Sequence, residues 1–244
     1  QFHVYYQPKH DLLSDKTSGA EGLVRWIHPT LGFMNPGVFI PVFEQNGFIT
    51  EMDFYIWEEV CKSLKEWKEK GMPLVPVSIN ISRRDFELED LDKKIISHIK
   101  EAGIDTSLIH FEITESAFAN DAKKVAQTVD SLHDSGFQIE LDDFGTGYSS
   151  LTALTSMHLD VVKLDMSIIR NDRPEYEANI LEFAMHLAKI VHLKTVQEGV
   201  ETQEQVDRLR ALGCDYIQGF LWGKPQLLSD AKDIIDALSD KRFV

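Results

Sequence analysis

The sequence predicts an α/β fold in which parallel strands alternate with covering helices and close into a barrel. Three observations carry that expectation. A strand-then-helix unit repeats six times after residue 75. The length of 244 residues matches the roughly 250 of a (β/α) barrel. Each strand of the series also ends in polar or charged side chains, which a closed parallel barrel would gather on one face. Strict alternation implies parallel strands with helices over them, and so many units in this length favour closure over an open sheet.

Taken in order, Phe2 to Tyr6 is aromatic and β-branched and reads as a strand ended by Gln7-Pro8. A second extended run, Gly19 to Ile27, can form a hairpin with it. Pro36 suits the first turn of a short helix ending near Gly47, and a longer amphipathic helix spans about Asp53 to Lys70, closed by Gly71. The repeat then begins. Strands Val75 to Ile81 and Ile109 to Thr114 precede helices over Asp90 to Ala102 and Asp121 to Ser135. Gln138 to Leu141 leads into an Asp-Asp loop with a short helix, and Val161 to Leu164 into a helix from Glu175 to Val191. Thr195 to Gln197 precedes a helix opened by Thr202 and Gln205 at capping-box spacing, and Tyr216 to Gln218 precedes a last helix, Ser229 to Leu238.

The stretch Ile139 to Ser150 organises the chain: an apolar strand, two adjacent carboxylates at Asp142 and Asp143, then a loop with two glycines. Two full charges about 4 Å apart repel by roughly 4 kcal/mol at an effective dielectric near 20, so a fold that gathers such acids commonly does so around a cation. The other strand ends add Asn80, Glu112, Glu115, Lys163, Asp165, Glu198, Glu201 and Gln218, with Glu21 and Arg25 on the early strand. A single strand-end acid can simply cap the next helix; a whole rim of them is harder to explain that way. An oxygen-rich set without His or Cys selects hard divalent cations, Mg²⁺ or Mn²⁺. Two metals sharing a carboxylate suit in-line hydrolysis of a phosphodiester, and Arg25 could hold a phosphate oxygen.

Composition narrows the partners. A formal charge of -15, from 40 acids and 25 bases, repels nucleic-acid duplexes and anionic membranes, so a phosphate-bearing substrate must meet local cations. Cys61 and Cys214 form no zinc or disulfide spacing, which fits a reducing cytoplasmic setting. No basic-then-apolar leader and no apolar run near the ~20 residues of a bilayer span is found. A start at Gln1, almost directly in a strand, suggests one domain over residues 1–244 excised from a longer, multidomain protein. The scattered histidines show no ligand spacing near the acids, and Trp57, Leu64 and Trp67 recur at helical spacing as core residues. Gly145-Thr146-Gly147 lacks the helix-opening glycine of a dinucleotide loop.

From Tyr5-Tyr6-Gln7-Pro8 to Gly223-Lys224-Pro225 the chain resembles an EAL domain, the cyclic di-GMP phosphodiesterase module of bacterial signalling proteins. The matching motifs include Glu21-Gly22-Leu23-Val24-Arg25-Trp26, Val77 to Ser82, Phe111 to Glu115, Asp142 to Leu151, Lys163-Leu164-Asp165, Glu198 to Thr202 and Gln218-Gly219-Phe220, all in the family's order. The resemblance implies a modified TIM (β/α)8 barrel with one antiparallel strand. It implies that Glu21, Asn80, Glu112 and Asp142 bind a first Mg²⁺ or Mn²⁺, and that Asp142 bridges to a second held with Asp143 and Glu201. Lys163 and Glu198 would orient or deprotonate the attacking water, with the base left open between them. Arg25, Leu23, Gln7, Asp165 and Gln218 would contact substrate, and Glu115 would anchor the loop after Asp143, a loop tied in the family to dimerisation. The implied reaction opens one phosphodiester of cyclic di-GMP to give linear pGpG, with inhibition by Ca²⁺. A homodimer and an upstream sensor or GGDEF-type domain are implied as partners, the domain itself being cytoplasmic even where the full-length protein is membrane-anchored.

Two positions depart from the family pattern. Its signature Ala is Gly22, which could loosen the strand around Glu21, and its usual Ala before Glu198 is Gln197, which would crowd the barrel if it pointed inward. Neither removes a ligand, so activity is favoured over a catalytically silent cyclic di-GMP receptor. Another phosphodiester as substrate is the third reading.

Overall fold

The computed structural model describes residues 1–145, 154, 156–169 and 174–227. Its strands are β1 (Phe2–Asp11), β2 (Lys16–His28), β3 (Gly32–Met34), β4 (Val77–Asn80), β5 (Ile109–Thr114), β6 (Gln138–Phe144), β7 (Val161–Leu164), β8 (Lys194–Gln197), β9 (Tyr216–Gln218) and β10 (Gln226–Leu227). The order β1-β2-β4-β5-β6-β7-β8-β9 closes on itself through pairings of β1 with both β2 and β9. From β2 onward neighbours in the barrel are parallel, and β1 alone runs antiparallel to both of its barrel neighbours. The expected barrel with one reversed strand is therefore the observed architecture. β3 and β10 extend the sheet outside it.

The helices are α1 (Pro36–Asn46), α2 (Phe48–Glu69), α3 (Leu91–Ala102), α4 (Phe118–Asp134), α5 (Pro174–Ile190) and α6 (Gln203–Leu212). Local chemistry sets their ends. The Asn35 side chain accepts from Gly37 N ahead of α1, Gly47 stops it at φ 84°, and Thr202 and Gln205 form a reciprocal capping box on α6. On α2, Met52, Ile56, Trp57, Val60, Leu64 and Trp67 are buried at i, i+3 and i+4 spacing against the strands.

Alternation along the strands divides the molecule in two. Ile79, Phe111, Ile113, Ile139 and Leu141 are buried in the layer shared with the helices, each such side chain contributing about 1.5–3 kcal/mol. Ser78, Glu112 and Glu140 on the same strands, and Lys163 on β7, are also buried, but they fill the lumen. The apolar core is thus a shell around a polar axis. Trp57 ties the two: its ring meets Phe111 at 5.9 Å, and its Nε1 donates to Asn80 O at 3.0 Å, fixing the end of β4.

Several boundaries differ from the sequence reading. β1 runs through Gln7-Pro8 to Asp11: Pro8, which has no N–H to offer, pairs with Ala20 of β2 on one side, and on the other it falls between the pairing with β10 at Tyr5 and Tyr6 and that with β9 from Lys9. α2 starts at Phe48, since Gly47 both ends α1 and opens α2. Asp121 marks a kink inside α4, at φ -145°, rather than its start. β6 continues to Phe144, so Asp142 and Asp143 lie in the strand and not in a loop. The short helix expected after them and the last helix, Ser229 to Leu238, lie outside the described residues. No described helix is long and apolar enough to cross a membrane.

Gly22 faces the apolar layer, not the lumen: a Cβ there would meet Ile79 Cγ2 at 3.3 Å and Val4 Cγ1 and Val60 Cγ2 at 3.4 Å. All three are ends of side chains that can shift by tenths of an ångström. Gly22→Ala is expected to raise the unfolding free energy by about 0.5–1 kcal/mol through reduced chain entropy, read as the urea midpoint; a lowered midpoint would mean that these methyls cannot move.

Candidate active site

At the C-terminal ends of the parallel strands, the Lys163 ammonium stands in a ring of carboxylates. It lies 2.9 Å from Glu198, 3.0 Å from Glu112, 3.1 Å from Asp142 and 3.5 Å from Glu21. Four strands spread around the barrel, β2, β5, β6 and β7, together with the residue after β8, deliver these groups to one place. Lys163 is fully buried. Burial alone would pull its ammonium down, and the carboxylates of Asp142, Glu112, Glu21 and Glu198 outweigh that and hold it well above the usual lysine range. It is a fixed cation.

Glu198 is raised as well. Desolvation raises it to about 7, against the pull of Lys163 and with help from Asp142 and Glu21. Asp143 is raised to about 6 by burial and by the charges of Asp142 and Asp165. Glu21 is lowered: burial raises it, but Lys163, Lys9 and the Gln218 amide, which donates to Glu21 Oε2 at 2.6 Å, prevail. Gln218 also donates to Gln7 Oε1 at 3.1 Å, so β1 and β9 both brace Glu21.

Asp142 and Asp143 would point to opposite faces in a regular strand. Here the register shifts between Leu141 and Phe144, and Asp143 adopts φ 57°, breaking the alternation. That left-handed conformation costs roughly 1–2 kcal/mol in a non-glycine residue. Glu115 Oε1 accepts from Gly145 N at 3.3 Å, an anchor on the first residue after β6. The loop beyond, from Thr146, lies outside the described residues.

A hollow of about 270 Å³ opens over the ring, walled by Gln7, Glu21, Leu23, Asp142, Glu198 and Glu201. A second, of about 220 Å³, lies beside it past Leu23 and is bordered by Arg25, Asn80, Arg83 and Asp53. Arg25 Nη1 donates to Val24 O, and its guanidinium lies 5.8 Å from the centre of the Tyr5 ring. Asp165 accepts from Ser167 N at 2.9 Å, which spends one of its oxygens on a turn. Of the residues expected at the site, Glu21, Glu112, Asp142, Lys163 and Glu198 meet in the ring, Gln7, Leu23, Gln218 and the exposed Glu201 line the first hollow and Arg25 and Asn80 the second, whereas Asp143, Asp165 and Glu115 line neither. Lys9, Glu140, Ser78 and His110, which the sequence reading passed over, form a second buried polar layer beneath the ring. Their signal was period-two alternation: each of Ser78, His110 and Glu140 stands two residues before an expected ligand.

The residue types suit a cation. Four carboxylates and an amide oxygen with no thiol or imidazole are hard donors, and Glu112 Oε2 is buried without a hydrogen bond, 3.0 Å from the Lys163 ammonium. Among the described residues the acids lean on Lys163, and no three of them are arranged as a cage of their own.

The EAL domain family model matches residues 1–225. The chain belongs to the EAL domain family. It is 33% identical over 233 residues to the cyclic di-GMP phosphodiesterase PA2567 of Pseudomonas aeruginosa, covering 95% of this chain and 40% of that protein. It is likewise 33% identical over 226 residues to the bifunctional diguanylate cyclase/cyclic di-GMP phosphodiesterase MucR of the same organism, covering 92% of this chain and 33% of that one. This EAL domain therefore spans 40% or less of the length of these two curated relatives. A solved structure of the PaMucR phosphodiesterase in complex with c-di-GMP has a TM-score of 0.88 at 32% identity, over 94% of this chain and 93% of that one.

Gln197, the departure that could have crowded the lumen of this EAL domain, points outward. Its Nε2 reaches Leu164 O at 3.1 Å, Asp165 O at 3.3 Å and Glu198 O at 3.0 Å, tying together the ends of β7 and β8. Gln197→Ala is expected to lower stability by about 1 kcal/mol by removing this tie from Glu198 O, since Leu164 O and Asp165 O keep Glu198 N and Ile168 N as donors, checked by urea denaturation.

Asp53 on α2 yields a pH prediction. Burial raises its carboxyl well above the usual range, and the charge of Asp85 adds to the shift; Asp85 itself accepts from Thr50 Oγ1, Ser82 N and Ser82 Oγ. A group raised on folding stabilises fully below its unfolded pKa, about 3.9, and that stability is lost as pH rises through its folded pKa. Asp53→Asn keeps the donor and has no proton to lose, so its Tm relative to the parent should climb from pH 5 to pH 8.5. A constant difference would show that Asp53 does not titrate differently on folding.

Proposed function

We propose that this EAL domain is a metal-dependent phosphodiesterase that hydrolyses cyclic di-GMP to linear pGpG. The observation that carries the reading is the convergence of Glu21, Glu112, Asp142 and Glu198 on Lys163 beneath an open hollow. Glu21, Asn80, Glu112 and Asp142 would hold one Mg²⁺ or Mn²⁺, and Asp142, Asp143 and Glu201 a second. Such ions would supply a water nucleophile at neutral pH and charge neutralisation at the phosphate. The raised Glu198 and Asp143 carboxyls support this, because acids raised by burial and by neighbouring negative charge gain most from a bound cation.

Of the two candidates for the base, Glu198 fits and Lys163 does not. A carboxylate near 7 can take a proton at physiological pH, whereas an ammonium held above its usual range cannot. Lys163 instead serves as a preorganised positive charge that orients Glu198 and the developing phosphoryl charge. Gln7 and Gln218 brace Glu21, Leu23 separates the two hollows as an apolar wall, and Arg25 offers a guanidinium to a phosphate. The receptor reading would have been favoured had Gly22 or Gln197 displaced Glu21 or Glu198. Both acids stand in the ring.

Purified protein incubated with cyclic di-GMP and Mn²⁺ or Mg²⁺ should yield pGpG on chromatography, and chelation should abolish it. Glu21→Ala and Lys163→Met should each lower kcat/KM by at least about 100-fold, since each removes several kcal/mol of charge stabilisation in the transition state. Tight binding without product would overturn the enzyme in favour of a receptor.

A further inference from the structure

Because β1 runs against the other barrel strands, a later residue on it lies deeper in the lumen. Gln7 stands at the rim beside Gln218, and Lys9 lies one layer below. Its side chain is 7% exposed. The ammonium crosses the lumen to Ser78 on β4 at 2.6 Å, Glu112 on β5 at 2.9 Å and Glu140 on β6 at 2.5 Å. Glu140 is in turn fixed through its other oxygen, which accepts from Ser78 Oγ at 2.8 Å and lies 2.8 Å from His110 Nδ1.

Glu140 alone balances the charge of Lys9, so the second carboxylate contact is surplus to neutralisation. Its consequence is directional. Lys9 takes Glu112 Oε1, and Oε2 is the oxygen turned to Lys163 at the site above. The terminal torsion of a glutamate is broad and two-fold, and a charge-assisted bond to one oxygen selects the plane of the other. We infer that Lys9 is a positioning residue: from the lower layer of the barrel it fixes the plane of Glu112 and so presents Oε2 to the divalent cation at the rim. This rests on the metal-dependent reading above.

The test is Mn²⁺ binding to the metal-free protein by calorimetry, without substrate, beside kcat/KM for cyclic di-GMP as a function of Mn²⁺. Lys9→Met combined with Glu140→Gln keeps the lower layer neutral, so the barrel should fold, as circular dichroism and a Tm near the parent's would show. Its Mn²⁺ affinity is expected to fall 10- to 100-fold, the usual consequence of removing a partner that orients a ligand, with activity partly restored at high Mn²⁺. Glu140→Gln alone leaves Lys9 with Glu112 as its only carboxylate and should stay within about threefold of the parent. A role limited to barrel stability would instead move both variants' Tm and leave both affinities unchanged. A folded double variant with parental Mn²⁺ affinity overturns the assignment of Lys9. A parent protein that binds no Mn²⁺ and makes no pGpG overturns the functional reading, and this inference with it.

Discussion

One buried ammonium sets the terms for the whole barrel. Lys163 stands among four carboxylates in a lumen almost closed to water. Burying an ion costs several kcal/mol unless it is paired in good geometry, so the strands must hold these groups against mutual repulsion. The energy to do so cannot come from the lumen. It comes from the apolar shell between strands and helices, where Ile79, Phe111, Ile139 and Leu141 pack on the reverse side of the residues that carry the acids. The same strand alternation that aims a glutamate inward aims an isoleucine outward.

The reversed strand completes this arrangement. A parallel β1 would bring only its last residues to the rim. Running the other way, it places Gln7 against Gln218 at the rim and Lys9 beneath, so one short strand serves both polar layers. The site also breaks local rules at some cost. Asp143 adopts a left-handed backbone, and Gln197 Oε1 is buried without a hydrogen bond. Such violations concentrate at functional positions, where the surroundings over-determine them. These two lie within a few residues of Asp142 and Glu198, while Asp15, Asp90 and His192 share the positive φ away from the site.

Much of this was legible in the sequence, for physical reasons that also mark its limits. Strands Ile109–Thr114, Val161–Leu164 and Tyr216–Gln218 were bounded correctly because apolar runs meet turn residues there. The rim was legible because the parallel strands end at or just before a polar or charged residue. The lower layer was missed because its residues lie inside strands, where a lone Glu140 or His110 looks like a solvent-facing alternation. Closure turns that face into a lumen. Lys9 was harder still, hidden behind a Gln7-Pro8 pair that reads as a strand terminus and that β1 passes through where only its β9–β10 side is unpaired.

The charge of the chain bears on how a dianionic dinucleotide could reach such a place. A protein of net charge -15 repels it at long range, and within about 10 Å of screening length only local groups count. Around the two hollows those are Arg25 and Arg83 at the second hollow and Lys163 at the base of the first. β2 orders them: Glu21, Leu23 and Arg25 share one face at alternate positions, and at about 3.3 Å per residue they span roughly 13 Å. A single strand therefore lays a carboxylate, an apolar partition and a guanidinium in line across the mouth of the barrel. A molecule with two phosphates set apart by a ring can use both ends of that line, whereas a single phosphate can use only one. Under the proposed function, that length would favour a cyclic dinucleotide over a mononucleotide.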